Sequence, residues 1–304
     1  MKRVLFVINP VAGTMKAKPH LMKILQTLSD GDLSVTVYTT RAKGDASAYV
    51  AAHAGEYDEI VCCGGDGTLS ETISGLINAD LDIPIGYIPA GSTNDLARTL
   101  GLPTDIEKAA ENIVKGVPTG FDIGLINGKK TFSYVASFGA FTRTSYATPQ
   151  SMKNVLGHLA YILSGVKELG KIEKYDMTVE AGAEKLRGEF IFGAVTNSLS
   201  VAGIFKLSPS RVSLNDGKFE VLLIRTPKDI VELGRIVSHI TDGSYEDPNL
   251  VFIQTDRIAV SCAKSSPWTV DGEFGGNYCG AGGDILINNM HDRVHIILPP
   301  AEKL

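Results

Sequence analysis

The glycine-rich stretch GGDGTLSE at residues 64–71 holds one carboxylate, Asp66, among its glycines and a second, Glu71, at its end. Its glycines carry no Cβ, so a ligand can lie directly against the backbone N–H groups. Thr68 and Glu71 have the spacing of a capping box, which predicts that a helix begins immediately behind the glycines. Because the N-terminus of a helix attracts anions, the stretch predicts a phosphate site.

The acid among these glycines, Asp66, would repel phosphates unless a divalent cation lay between them, and it therefore predicts Mg²⁺. Two further loops, NPVAG at 9–13 and PAGSTNDLAR at 89–98, also follow apolar runs. In the second loop Ser92 is placed to cap a helix, with Asp95 three residues on. Three such loops at strand ends predict convergence on one nucleotide.

Two familiar nucleotide motifs do not fit. The P-loop spacing GxxxxGK[ST] is absent, and counting from Gly65 gives GDGTLS, with serine where the dinucleotide fingerprint needs a third glycine or alanine. Phosphoryl transfer, which needs mainly positioning and charge neutralisation, is the chemistry that these loops favour. Tight turns that need glycine only for their own geometry are the structural alternative.

The loops require an open α/β sheet to position them. In the first third of the chain, short apolar strands alternate with helical spacing such as HLMKILQTL. Strands buried on both faces have nearly continuous apolar runs, as these do, so a parallel sheet is predicted. The predicted strands are residues 3–8, 33–38, 59–63 and 84–88.

From about residue 117 strands separated by Gly, Asp and Asn turns predict a mostly antiparallel β domain. Residues 228–239 have helical spacing. We expect an α/β domain at 1–120, to which residues 296–304 return, and a larger β-rich domain at 121–295. The predicted strands of the second domain are 121–126, 131–141, 175–181, 188–196, 219–224, 257–262 and 294–299.

Composition excludes several classes of protein. The net charge of −5 over 304 residues gives no general attraction to nucleic acid. No stretch approaches the roughly eighteen apolar residues that span a bilayer. We therefore expect a cytoplasmic protein, at most peripheral on the membrane. The cysteines form no C-x-x-C pair, which predicts reduced core thiols, and the histidines show no metal-binding spacing. The cysteines are Cys62, Cys63, Cys262 and Cys279.

In their order along the chain, the motifs resemble the diacylglycerol kinase catalytic-domain family of lipid kinases, and particularly its soluble bacterial members. GGDGT alone is shared with NAD kinases, whereas the ordered set is specific. The stretches that carry the resemblance are NPVAG at 9–13, Thr40 ahead of GDA at 44–46, GGDGTLSE at 64–71, GSTNDLAR at 91–98, FDIG at 121–124, YATP at 146–149, LGHLAY at 156–161, TNSLSVAGIFKLSP at 196–209, LNDGKFEV at 214–221 and VDGEFGG at 270–276.

This resemblance implies an ATP- and Mg²⁺-dependent kinase that converts diacylglycerol to phosphatidic acid. It makes residues 1–120 the ATP-binding domain and residues 121–295 the lipid-substrate domain. It places Asp66 and Asp95 in the catalytic Mg²⁺ and water network, makes Glu273 the general base, and makes Asp216 a ligand of a structural Mg²⁺. From the residues alone, Glu273 is a turn residue and NDG at 215–217 is a hairpin turn. The implied ATP-site residues are Asn9, Gly13, Thr40, Gly65, Asp66, Gly67, Thr68, Glu71 and Ser92.

One residue departs from the family pattern: Thr14 stands where relatives often carry a basic residue, with Lys16 and Lys18 further on. If neither lysine reaches the phosphates, weaker ATP binding is expected. A sphingoid base is an alternative acceptor. NAD is another, although the Asn-Glu pair expected of NAD kinases is absent. A non-catalytic nucleotide- or lipid-sensing protein is the alternative from another class.

The stretch at 151–175 has apolar residues at helical spacing, with lysines around them. It predicts either a helix on a membrane surface or a core helix with a solvated face. The lipid substrate favours peripheral contact with the inner membrane surface, and a homodimer is left open.

Overall fold

The computed structural model describes residues 1–139, 172–198, 200–201, 205–206 and 213–300. The chain forms two compact units, one holding Met1–Phe121 and the segment from Asp292 onward, the other Asp122–His291. The α-helices in the described ranges are α1 (Leu21–Asp30), α2 (Asp45–His53), α3 (Asp66–Asn78), α4 (Asp95–Thr99), α5 (Ile106–Lys115) and α6 (Ile230–Asp242). The strands there are β1 (Lys2–Ile8), β2 (Leu33–Thr39), β3 (Glu59–Gly64), β4 (Ile85–Pro89), β5 (Val117–Ile126), β6 (Lys130–Phe132), β7 (Val135–Gly139), β8 (Tyr175–Ala181), β9 (Glu184–Thr196), β10 (Ser200–Val201), β11 (Phe205–Lys206), β12 (Phe219–Arg225), β13 (Leu250–Thr255), β14 (Arg257–Cys262), β15 (Ser266–Val270), β16 (Glu273–Tyr278) and β17 (Ile285–Leu298).

The first unit is built on a parallel sheet in the order β2-β1-β3-β4, and the end of β17 adds beside β4 through Ile296 and Ile85. β1, β3 and β4 are buried because helices cover the sheet, with α1 packed on α5 and α2 packed on α3. All four strands predicted for this region are present. The parallel register places the carboxyl ends of these strands at one edge, where the three glycine-rich loops begin.

The second unit is an antiparallel assembly in the order β16-β15-β7-β9-β8-β14-β17, with β12 between β9 and β13. Its larger core is rich in aromatic residues, and the ring centroids of Phe138 and Trp268 are 5.0 Å apart. α6 begins where Asp229 accepts a hydrogen bond from Glu232 N (2.8 Å), and it ends at Gly243 in the left-handed conformation. These findings confirm a mixed α/β fold with a β-rich second part.

Several details differ from the sequence-based expectations. The predicted strand 131–141 is divided, because the backbone between β6 and β7 turns to donate hydrogen bonds to a side chain far along the chain, Asp271. No strand was predicted at the positions of β10, β11, β13, β15 and β16. Of the stretch 151–175, residues 151–171 lie outside the described residues, so the predicted helix there is not tested, and Tyr175 at its end is the first residue of β8. None of the described helices has the length and apolar character needed to cross a bilayer.

The expectation of four reduced cysteines is wrong for two of them. Cys262 at the end of β14 and Cys279 just after β16 form a disulfide. Their pairing depends on strand neighbours that spacing along the chain does not reveal. Cys62 and Cys63 are free thiols buried in β3, and burial raises the pKa of the Cys62 thiol to about 12.

Candidate active site

Backbone hydrogen bonds join the loops of the first unit where the strands end. Asn9 N donates to Cys63 O (2.9 Å), Thr40 N to Ile8 O (2.9 Å) and Ala90 N to Gly64 O (2.8 Å). The sheet ladder therefore continues one residue into each loop. As a result, the predicted site residues after β1, β2, β3 and β4 lie along one edge.

Glycines allow these loops to touch one another. Gly13 has φ 48°, and a Cβ there would lie 2.2 Å from Ala90 O. A Cβ on Gly91 would lie 2.6 Å from the Cα of Gly65. The neighbouring loop therefore occupies part of the space that the missing Cβ atoms leave open. This contact brings the loops together into one surface.

Side chains reinforce the contact between loops. Asn9 Nδ2 donates to Thr68 Oγ1 (3.1 Å), and Asn9 Oδ1 accepts from Val11 N (3.1 Å), which shapes the loop after β1. Glu71 Oε1 accepts from Gly44 N (2.7 Å), which ties the loop after β2 to α3. Thr68 is buried, whereas Glu71 and Thr40 are half-buried.

The predicted capping box is wrong. α3 begins at Asp66 with Gly65 at its N-cap position, so Thr68 already lies within the first turn and cannot occupy the cap. In the described structure no side chain caps this helix. Its N-terminal dipole end and the exposed Gly67 thus remain directed at the loop surface, as an anion site requires.

Asp66 bonds to the N-terminus of another helix. Its carboxylate accepts from Asp95 N (3.2 Å) and Leu96 N (3.3 Å) in the first turn of α4. Ser92 is exposed and is not the cap of α4, so that prediction is wrong. The N-cap residue is Asn94, with φ 52°, because α4 begins two residues later than a Ser92 cap would require.

Asn94 is a site residue that sequence reasoning missed. Its Oδ1 accepts from Gly91 N (3.0 Å), and its Nδ2 donates to Gly91 O (3.0 Å). This buried side chain holds the loop after β4 in the conformation that contacts Gly65. The only signal in the sequence was the type of residue, since Asn tolerates the left-handed conformation more readily than most others.

Two carboxylates share this edge of the sheet. Burial raises the pKa of Asp66, against the effect of the N–H groups of α4. Burial also raises the pKa of Asp95, and the neighbouring charge of Asp66 raises it further. A divalent cation would offset this repulsion and take hard oxygen ligands, so the pair fits Mg²⁺.

The described residues contain no group of three or more His, Cys, Asp or Glu side chains arranged to hold a metal ion. This is compatible with Mg²⁺ at the Asp66 and Asp95 pair, because Mg²⁺ is commonly held by one or two carboxylates together with waters and substrate phosphates.

In the second unit, Glu273 is the first residue of β16 and is exposed. It follows a two-residue turn in which Asp271 and Gly272 both have positive φ, 48° and 81°. Such values are those of the tight hairpin turns that suit the twist of paired strands. Glu273 is therefore at a hairpin tip, as expected of a turn residue, and its catalytic role stays a prediction.

Asp216 is also exposed, and its Oδ1 accepts from Lys218 N (3.0 Å). The buried side chain of Asp122 holds the turn at 215–217 in place. Its carboxylate accepts from Gly217 N (2.7 Å) and lies 3.0 Å from His291 Nδ1. Asp122 is a second residue that sequence reasoning missed. Its signal was an acid within the apolar stretch FDIGLI. A Mg²⁺ at Asp216 would need backbone carbonyls and waters as its other ligands.

Comparisons with known proteins identify the class. Residues 3–126 match the diacylglycerol kinase catalytic domain, and residues 135–282 match the YegS C-terminal NAD kinase beta sandwich-like domain. Diacylglycerol kinase of Bacillus subtilis (strain 168) is 33% identical over 302 residues, 98% of this chain and 97% of the relative. That of Staphylococcus saprophyticus is 33% identical over 281 residues, 92% and 91% of the two chains.

A solved structure of a diacylglycerol kinase from Bacillus anthracis str. Sterne shares the fold, with a TM-score of 0.76 at 22% identity over 99% of this chain and 98% of that one. Another chain from that organism has a TM-score of 0.80 at 25% identity, covering 99% and 96%. A catalytic domain of this type followed by a β-sandwich-like domain defines a lipid kinase, a phosphotransferase. The chain belongs to the diacylglycerol kinase family. The resemblance inferred from its motifs is thereby confirmed.

Proposed function

We propose that the protein transfers the γ-phosphoryl group of ATP to the primary hydroxyl of diacylglycerol, giving phosphatidic acid and ADP. The observation that carries this proposal is the carboxylate pair Asp66 and Asp95, with raised pKa values, beside the uncapped N-terminus of α3. The named diacylglycerol kinases at 33% identity over nearly the whole chain favour this lipid as the acceptor.

The loops of the first unit form the nucleotide site in this proposal. The positive end of α3 and the backbone around Gly65 and Gly67 face the phosphates, because neither glycine has a Cβ to exclude them. Asn9 and Thr68 hold each other in place, while Glu71 fixes the loop that follows Thr40. Gly13 and Ser92 complete the lining of the site.

Asp66 has two tasks in this proposal. Its carboxylate accepts two N–H hydrogen bonds from the first turn of α4 and so holds that helix in place. The carboxylate oxygens of Asp66 and Asp95 would also be ligands of the catalytic Mg²⁺ or of its waters. Mg²⁺ bound there supplies charge neutralisation for the transferring phosphoryl group. Burial disfavours the charged form of both carboxylates, and a bound cation would stabilise that form.

Glu273 is the proposed general base. The substrate oxygen forms a bond to the γ-phosphorus as the bond from that phosphorus to the β,γ-bridging oxygen breaks, and the hydroxyl proton passes to the Glu273 carboxylate. Asp216 is proposed as a ligand of a separate, structural Mg²⁺. Lys16 and Lys18 are exposed and are the cations nearest in sequence to Thr14, the position at which the family pattern often has a basic residue.

The substrate implies work at a bilayer surface. We propose a cytoplasmic protein that meets the inner leaflet peripherally and has no nucleic-acid partner. A sphingoid base remains a second acceptor to test. NAD is a third, because the match of the second domain is to an NAD kinase-like β-sandwich. A sensing protein without turnover is the alternative of another class.

Incubation with γ-labelled ATP, Mg²⁺ and separate pools of diacylglycerol in mixed micelles, sphingoid base and NAD tests the proposal. Label in phosphatidic acid, dependent on Mg²⁺, is the expected result. Label found solely in NADP or in a sphingoid phosphate would reassign the substrate. If no pool is labelled while ATP still binds, a sensing role is favoured.

The variant Glu273→Gln tests the base, with Glu184→Gln as its matched control. Glu184 is likewise an exposed carboxylate at the first position of a strand, β9, in the same unit. We expect turnover to fall by about 10²–10⁴-fold in Glu273→Gln and to stay normal in Glu184→Gln. Equal activity of the two variants would remove Glu273 from the chemistry.

A further inference from the structure

The turn that carries Glu273 is held by more than its own geometry. Asp271 lies at the first of the two turn positions, and Val270 pairs with Glu273 across the turn. A non-glycine residue tolerates the left-handed conformation poorly, and Asn and Asp are among the exceptions. Asn or Asp would therefore satisfy the turn equally well, so the turn does not explain the carboxylate.

The carboxylate of Asp271 binds the segment between β6 and β7. Its Oδ2 accepts from Ser133 N (2.8 Å), and its Oδ1 accepts from Tyr134 N (3.0 Å) and Val135 N (3.2 Å). Its own backbone N donates to Val135 O (2.9 Å). Three successive N–H groups directed at one carboxylate form a charge-assisted set, which is stronger than the neutral bonds an amide could make.

The strand on the other side of Glu273 is bound by the same region of the chain. Lys130 Nζ, at the start of β6, donates to Phe274 O (3.3 Å) and Gly275 O (3.1 Å). The backbone is thus held just before and just after Glu273. Both attachments come from residues 130–135, which the strand order places beside the hairpin, since β7 pairs with β15.

We propose that Asp271 is a positioning residue, whose bonds to Ser133, Tyr134 and Val135 hold the backbone of Glu273 where its carboxylate receives the proton of the substrate hydroxyl. This inference rests on the proposed function and deepens it. Proton transfer requires heavy atoms within hydrogen-bond reach, and a displacement of about 1 Å can cost about 10²-fold in rate. A rigid hairpin tip meets that requirement on an otherwise exposed edge.

The test compares Asp271→Ala and Asp271→Asn with Asp229→Ala. Asp229, in the same unit, also accepts a backbone N–H (from Glu232, 2.8 Å), so its loss removes a similar bond far along the chain from Glu273. We expect kcat to fall by about 10–100-fold in Asp271→Ala, with the KM for ATP within about threefold of wild type. The kcat of Asp271→Asn should lie between those of wild type and Asp271→Ala, because asparagine keeps one acceptor oxygen. Asp229→Ala should keep the wild-type kcat.

A double-mutant cycle separates positioning from general loss of structure. If Asp271 acts through Glu273, adding Asp271→Ala to Glu273→Gln should lower the residual kcat by less than about threefold. Amide hydrogen exchange at residues 133–135 and 270–275 should accelerate in Asp271→Ala, and Asp229→Ala should leave it unchanged. Should Asp271→Ala not fold, Asp271→Asn carries the same cycle.

Each outcome bears on the inference. An inactive Glu273→Gln with wild-type kcat in both Asp271 variants would overturn the positioning role and leave the proposed function standing. A full further loss of kcat in the double mutant would also overturn it, since the effect would then be independent of Glu273. Near-normal turnover in Glu273→Gln would remove the general base, and the inference with it.

Discussion

The substitution Asp66→Asn should separate the two tasks of this side chain. In the wild-type protein the carboxylate accepts N–H bonds from Asp95 and Leu96, and it is the acid proposed to act with Mg²⁺. Asparagine has nearly the same size and keeps one acceptor oxygen, but it has no charge. The variant should therefore fold and bind little of the catalytic cation.

The structure sets the size of both effects. Replacing one acceptor oxygen by an amide NH₂ group costs about 1 kcal/mol of hydrogen bonding. Asparagine carries no charge to bury, which offsets this loss. The free energy of unfolding should therefore change by less than about 1 kcal/mol at pH 7. Weaker binding of the cation that neutralises the transferring phosphoryl group should cost about 3–4 kcal/mol of transition-state stabilisation, which corresponds to about 10²–10³-fold in kcat.

The pH dependence follows from the raised pKa of Asp66. An acid with a higher pKa in the folded than in the unfolded state contributes most to stability below its ordinary pKa. It loses that contribution as the pH rises through the folded value. The stability of Asp66→Asn relative to wild type should accordingly increase with pH above about 4, the ordinary range of an aspartate.

The assay measures phosphatidic acid formation in mixed micelles over a titration of Mg²⁺, with urea unfolding at several pH values in EDTA. Asp105→Asn is the matched control, because Asp105 also accepts two N–H groups, from Glu107 and Lys108, at the start of α5. It should keep full turnover. If Asp66→Asn kept more than a tenth of the wild-type kcat with an unaltered Mg²⁺ dependence, the proposed metal role would be refuted.

Three further predictions concern stability. Gly13→Ala should lower the free energy of unfolding by about 2–4 kcal/mol, because the new Cβ clashes with Ala90 O and the positive φ adds strain. The control Gly101→Ala should lower it by only about 1 kcal/mol, because Gly101 has φ 65° but no atom within 4 Å of the new Cβ. Burial raises the pKa of Glu220 to about 7, so the stability of the wild-type protein should fall as the pH rises through that value. Urea unfolding in EDTA should show that Glu220→Gln is more stable than wild type by on the order of 2–3 kcal/mol at pH 8.5 and little different at pH 5. Cys279→Ser should destabilise by about 2–4 kcal/mol, and dithiothreitol should lower wild-type stability by a similar amount without affecting the variant.

Contrary results would be clear in each case. Equal losses in the two glycine variants would mean that loop contact adds nothing to strain. A stability difference between wild type and Glu220→Gln that is independent of pH would contradict a shifted titration. Four titratable thiols in the unreduced, denatured protein, in place of two, would contradict the disulfide between Cys262 and Cys279.

The apolar strands and the positions of their loops were open to prediction from the sequence. The runs that form β1 to β4 are continuous because both faces of the sheet are covered, and that composition is local information. Glycines and acids after such strands lie at a common edge for topological reasons. The loop residues of the first unit could therefore be predicted as a set from residue type and strand order alone.

The partners of individual side chains were less accessible to prediction. Glu71 fits a capping box by spacing, yet it binds Gly44. The Asp66 carboxylate accepts hydrogen bonds from the first turn of a helix that begins 29 residues later in the chain. Such bonds depend on which loops become neighbours, and hydrogen-bond spacing along one segment contains no information about them.

Sequence alone therefore determined the strand alternation, the small-residue loops at the strand ends and the family, since each depends on residue type and order. Tertiary structure decided the remainder: Asn94 bracing its loop, Asp122 beneath the Asp216 turn, Asp271 holding the Glu273 hairpin, and the pairing of Cys262 with Cys279. These contacts join residues that only a complete sheet brings within hydrogen-bond or covalent reach. Their geometry is a property of strand order, which folding establishes through the whole core.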